Sequence, residues 1–112
     1  MNWIPLQSLP QLDEILAKPG LALLFKHSTR CSISNVALER LNKSSLSDLT
    51  PSYLLDLLSY RDISNAIATQ LKVHHESPQV LLVKDGQCYY DESHLSISAE
   101  EIEEELKKIN TL

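Results

Sequence analysis

The sequence predicts an α/β fold in which a central mixed four-stranded sheet is flanked by helices. Three observations predict it. Ala22 to Lys26 and Gln79 to Lys84 are short apolar runs without polar alternation, as in strands covered on both faces. Segments with helical apolar spacing lie between such runs. Asp85-Gly86, placed between Gln79–Lys84 and Gln87–Tyr90, is a strong type I′ hairpin signal.

Taken in order, Leu9, Leu12, Ile15 and Leu16 follow helical spacing, and Pro19-Gly20 stops that element. Ala22 to Lys26 is the first strand. Residues 32 to 43 form the next helix, with Ile33, Val36, Ala37 and Leu41 expected on its apolar stripe. Ser44 to Pro51 is a polar connection. Ser52 to Leu58 suits a buried strand or a helix, and Pro51 in front of it favours the strand. Ser64 is expected to cap a short helix that turns Ile67 and Leu71 inward. The hairpin follows. Ser98 then opens the last helix with a capping box to Glu101, and Ile97 can staple to Ile102. The order α-β-α-β-α-β-β-α, a βαβ half followed by a hairpin and a closing helix, is the thioredoxin-like arrangement.

Bulk properties bound the rest. A chain of 112 residues, 43% apolar and 22% charged, is expected to form one domain over residues 1–112. The net charge is −5, with acid concentrated in Glu100 to Glu105, which argues against a nucleic-acid backbone as partner. Lys26 and Lys84 interrupt the apolar runs, so no membrane span is expected. Met1 to Gln11 has neither a basic n-region nor a long apolar h-region, so the chain reads as cytoplasmic. Two cysteines make no disulfide framework; in a reducing compartment they are more often free or catalytic.

Cys31 carries the chemistry. It ends the polar turn Lys26–Arg30 and opens a helical segment, where free backbone N–H groups and the helix dipole favour a thiolate. The thiolate is the reactive form, and a helix N-terminus promotes it. A core cysteine would instead fall within an apolar stripe. Ser34 stands three residues on, where a dithiol motif has its second cysteine, so the site has one sulfur and predicts a monothiol cycle. Ser34 either donates a hydrogen bond to the thiolate or is an ordinary first-turn serine. Pro78 precedes the Gln79 strand; local statistics favour a trans bond there. Cys88, in the second hairpin strand, is read as packing, because nothing in the sequence brings it near Cys31. His27, His74, His75 and His94 have no metal-ligand spacing, and no metal is expected.

Four segments resemble one family. Phe25-Lys26-His27-Ser28-Thr29-Arg30-Cys31-Ser32-Ile33-Ser34 is similar to the active-site segment of the YtxJ-like monothiol bacilliredoxins. Tyr60-Arg61 with Ser64-Asn65 and Ile67-Ala68, then His75-Glu76-Ser77-Pro78-Gln79-Val80, then Ser93-His94 resemble further family segments in the same order. The resemblance implies a thioredoxin-like fold and a thiol–disulfide oxidoreductase that uses the low-molecular-weight thiol bacillithiol as co-substrate. Its implied partners are S-bacillithiolated client proteins. It further implies Cys31 as nucleophile and Pro78 as a cis-proline. Arg30, Ser32, Ser34, Ser77 and Pro78 are the residues expected around the bound thiol. Ser32 departs from the family's usual proline, which removes a fixed φ at the first helical turn. Two other readings stay open at this level: a non-catalytic thioredoxin-like binding or redox-sensing module, and an iron–sulfur carrier like monothiol glutaredoxins.

Overall fold

The computed structural model covers residues 1–112. Its elements are β1 (Trp3–Pro5), α1 (Leu9–Ala17), β2 (Leu21–His27), α2 (Ser32–Asn42), β3 (Ser52–Asp56), α3 (Arg61–Leu71), β4 (Gln79–Lys84), β5 (Gln87–Ser93) and α4 (Ala99–Asn110). Short 3-10 turns occupy Leu46–Asp48 and His94–Ser96. The strands form one mixed sheet in the order β1-β3-β2-β4-β5. β1, β3 and β2 run parallel; β4 and β5 are antiparallel to their neighbours.

The sheet thus has five strands, where four were expected. The extra strand is β1, three residues long and ending in Pro5. Its own sequence is too short to show a period, and only pairing with β3 makes it a strand. Proline is tolerated there because β1 is an edge. Trp3 fixes the segment by donating its indole N–H to Asn42 Oδ1 at 2.7 Å and by packing on the Phe25 ring.

Alternation along β2 splits the core in two. Ala22 and Leu24 pack with Leu12 and Ile15 of α1 and with Ile63, Ile67 and Leu71 of α3. Leu23 and Phe25 pack on the other face with Ala37 and Leu41 of α2 and with Ile102, Leu106 and Ile109 of α4. Burying an aliphatic side chain of this kind contributes about 1.5–3 kcal/mol, so both layers are needed to hold the sheet.

Several boundaries correct the expectation. Ser64 is not a cap: α3 begins at Arg61 after Tyr60, and Ser64 is a buried first-turn residue beside Ile63. Ile33 and Val36 lie exposed on α2, whose buried face is Ser34, Ala37 and Leu41. The helix is turned by the partners that Ser34 finds under it. Ser98 does cap α4, accepting the Glu101 N–H at 3.4 Å, and Ile97 and Ile102 are fully buried together. The hairpin turn has φ of 53° at Asp85 and 80° at Gly86, as a type I′ turn requires. β5 runs three residues past Tyr90, and a bulge just before Tyr90 leaves Tyr89 without an opposite residue.

Candidate active site

Two loops meet at one end of the sheet. β2 and β4 are neighbours with Lys26 opposite Gln79. One residue on, His27 leads into the loop carrying Arg30 and Cys31, and Pro78 leads back into the loop His74–Ser77. The chain leaves β2 and enters β4 side by side, which brings Cys31 and the Ser77-Pro78 segment to the same edge. The Ser77–Pro78 bond is cis, as the family resemblance implied and local statistics did not.

Cys31 occupies the N-cap of α2, with extended backbone, and is half-buried. Its carbonyl accepts the Asn35 N–H at 3.0 Å and its own N–H reaches Ser28 O at 3.2 Å, so the backbone on both sides is fixed. The sulfur caps no helical N–H in this state. Arg30 and Ser32, on either side, are exposed.

Ser34 is fully buried. Its Oγ lies 2.6 Å from His27 Nδ1 and accepts the Ser28 N–H at 3.0 Å. This hydroxyl therefore sits behind the Cys31 loop, bracing residues 27–28. The sequence left two alternatives for it, a bond to the sulfur or no role; the bonds its hydroxyl makes go to His27 and Ser28. His27 itself is buried against Phe25, and burial lowers its pKa, partly opposed by the negative charge of Asp56. Asp56 is its cross-strand partner on β3.

Ser77 is half-buried, and neither its backbone nor its hydroxyl makes a hydrogen bond within the chain. Pro78 is buried, and its carbonyl accepts the His94 N–H at 3.0 Å. The loop ahead of them is pinned by Gln79, which accepts the Glu76 N–H and donates to His74 O at 3.0 Å.

On the opposite face of β2, Lys26 is fully buried without a carboxylate. Its Nζ donates to Ser64 O at 3.2 Å and contacts His75 Nδ1 at 3.1 Å. Burial lowers its pKa to about 8. It ties α3 and the loop before Pro78 to the sheet. Residue-by-residue reading missed this cluster; the available signal was a lysine ending a strand that is otherwise apolar on both faces.

Cys88 is remote. It pairs with Val83, which pairs with Ala22, five residues before His27. At about 3.3 Å per residue and 4.8 Å per strand, it lies roughly 16 Å along and 10 Å across from the β2 end that leads to Cys31. A disulfide needs Cα atoms within about 7 Å. Both cysteines are free, and burial pushes the Cys88 thiol up to about 11. No three His, Cys, Asp or Glu side chains converge as a metal-ligand group, and no helix is long and apolar enough to cross a membrane.

Comparison with known proteins agrees with this arrangement. A solved structure described as a candidate oxidoreductase with a thioredoxin fold is 29% identical, with 90% of each chain covered and a TM-score of 0.82. The thioredoxin of Trypanosoma brucei brucei is 12% identical, over 99% of this chain and 93% of that one, with a TM-score of 0.76. That of Malassezia sympodialis is also 12% identical, over 96% and 90%, with a TM-score of 0.73. These two likenesses carry the thioredoxin fold alone. The family model described as monothiol bacilliredoxin BrxC matches residues 4–102. With one cysteine at the head of α2, a cis-proline loop beside it and a family match over most of its length, the chain belongs to the monothiol bacilliredoxins, a family of thiol–disulfide oxidoreductases.

Proposed function

We propose that this protein removes bacillithiol from S-bacillithiolated proteins through a mixed disulfide at Cys31. The Cys31 thiolate attacks the bacillithiol sulfur of the client's mixed disulfide. The client cysteine leaves as a thiolate, and Cys31 carries the bacillithiol. A second bacillithiol thiolate then attacks that sulfur, giving the oxidised bacillithiol dimer and restoring Cys31. Each step exchanges one S–S bond for another; the second bacillithiol thiolate is the two-electron reductant and leaves in the oxidised dimer.

The single observation that carries this reading is the half-buried Cys31 at the α2 N-cap, with no second thiol in reach. The α2 dipole and the first-turn N–H groups favour negative charge where the sulfur reacts. Around it, the unpaired backbone of Ser77 offers a donor and an acceptor to an extended client segment, in the manner of an added strand. Exposed Ile33 and Val36 give that segment an apolar surface next to the sulfur. Arg30, Ser32 and Pro78 border the same place, and Ser34 holds the loop from behind. In this reading the chain works in the cytoplasm as one thioredoxin-like unit over residues 1–112.

The test is intact-mass analysis after exposure to oxidised bacillithiol and, separately, oxidised glutathione. One adduct at Cys31 and transfer from a bacillithiolated client are expected. A Cys31→Ser protein that strips clients as fast as the native one would rule the cycle out.

A further inference from the structure

A cavity of about 360 Å³ beside the Cys31 loop is lined by Thr29, Arg30, Asp56, Leu58, Ser59 and Arg61. It lies between the turn leaving β2 and the turn joining β3 to α3. β2 and β3 are parallel neighbours with His27 opposite Asp56, so both turns leave the sheet at the edge where Cys31 sits. Arg30 is the chain neighbour of Cys31, with Cα atoms about 3.8 Å apart.

The charges of this cavity are unspent. Neither Arg30 nor Arg61 forms an ion pair in the chain, whereas Arg40, elsewhere, donates to Leu95 O at 3.2 Å. Asp56 is the one carboxylate in the wall. It is turned to Ser59, accepting that hydroxyl at 3.0 Å through Oδ2, and its Oδ1 is buried without a partner. α3 begins at Arg61 behind Tyr60, which supplies no side-chain cap, so the positive end of that helix dipole faces the same way. In a protein of net charge −5 this is a local reversal of sign. A larger cleft of about 400 Å³ between α2 and α4 shows the contrast. Its lining holds two cations, Arg40 and Lys43, and as many carboxylates, Glu100 and Glu103, and no residue of the Cys31 or Pro78 loops lines it.

We infer that Arg30 and Arg61 clamp a carboxylate of the small-thiol co-substrate in this cavity while its sulfur exchanges at Cys31. Guanidinium forks match carboxylates in two-point geometry, and a charge-assisted pair discriminates more than a neutral contact. This role rests on the exchange reaction proposed above. It adds the charge class of thiol that the site accepts: carboxylate-bearing ahead of neutral or cationic. Arg61 becomes a specificity residue supplied by an element far from Cys31 in sequence.

The test is the rate of mixed-disulfide formation at Cys31 in the full chain with four symmetrical disulfides. Oxidised bacillithiol and oxidised glutathione carry carboxylates, bis(2-hydroxyethyl) disulfide is neutral, and cystamine is cationic. In each reaction Cys31–S⁻ displaces one thiolate and keeps the other half as its disulfide. The ratio of the carboxylate-bearing to the neutral rate is expected to fall about tenfold in Arg61→Gln, and similarly in Arg30→Gln. Arg61→Lys, which keeps the charge but not the two-point fork, is expected to give a ratio between those of the native protein and Arg61→Gln. Circular dichroism confirms that each variant is folded, and either Gln variant suffices. Ratios unchanged in both Gln variants overturn the clamp. If oxidised bacillithiol reacts equally fast with all variants, the clamp falls and the exchange function stands. If oxidised bacillithiol does not react but the glutathione ratio still depends on the arginines, the clamp stands and bacillithiol as co-substrate falls.

Discussion

Replacing Lys26 with methionine should change how stability depends on pH, by an amount the structure sets. Lys26 is fully buried with no carboxylate partner, and burial lowers its pKa from 10.5 to about 8. The unfolded chain holds that proton to a higher pH than the folded one does. Between about pH 8 and 10.5 the unfolded state therefore binds more protons, and stability rises with pH there. Below about pH 8 the folded protein carries the full cost of a desolvated ammonium; above about 10.5 it carries none. One pKa unit corresponds to about 1.4 kcal/mol, so the group's contribution changes by roughly 2–3 kcal/mol between pH 7 and pH 10. Methionine has nearly the same reach and no proton. Urea denaturation of both proteins at pH 7, 8, 9 and 10 isolates the effect, because every other titrating group is common to both. The difference in unfolding free energy, native minus Lys26→Met, should rise by that amount across the series. The difference at pH 7 also contains the lost bonds to Ser64 O and His75 Nδ1, so only its change with pH is diagnostic. A difference that stays flat from pH 7 to pH 10 would refute the claim that a charged amine is held in the folded core.

Three further outcomes are expected. Ser34→Ala leaves the half-buried Ser28 N–H and the buried His27 Nδ1 without their shared partner, and should cost about 2 kcal/mol in chemical denaturation; a loss below about 0.5 kcal/mol would mean the hydroxyl does not brace the loop. Gly86→Ala combines a positive φ with a Cβ driven against the Leu16 carbonyl. It should destabilise by more than about 1 kcal/mol, read as a lowered Tm, and an unchanged Tm would contradict that packing. Iodoacetamide at pH 7.5 should label Cys31 well ahead of Cys88, whose thiol is pushed up to about 11. Peptide mapping that finds Cys88 modified first would oppose this.

The amino-acid sequence alone determined the alternation of strands and helices, the Asp85-Gly86 turn, the cap at Ser98 and the place of Cys31 at the head of α2. Each of these is a local property: a period, a φ requirement or a capping side chain read within a few residues. Four motif segments in register also carried the family. Only the tertiary structure decided that Trp3–Pro5 is a strand, because its hydrogen bonds go to β3, which comes almost fifty residues later in the chain. The rotation of α2 was likewise out of reach: Ile33 and Val36 fit an apolar stripe, but the bonds from Ser34 to His27 and Ser28 turn them outward. Lys26 and His75 meet because β2 and the loop before Pro78 are spatial neighbours, and Arg30 and Arg61 share one cavity because β2 and β3 are parallel. Side chains far apart in sequence interact according to strand order and facing, which spacing along the chain does not encode.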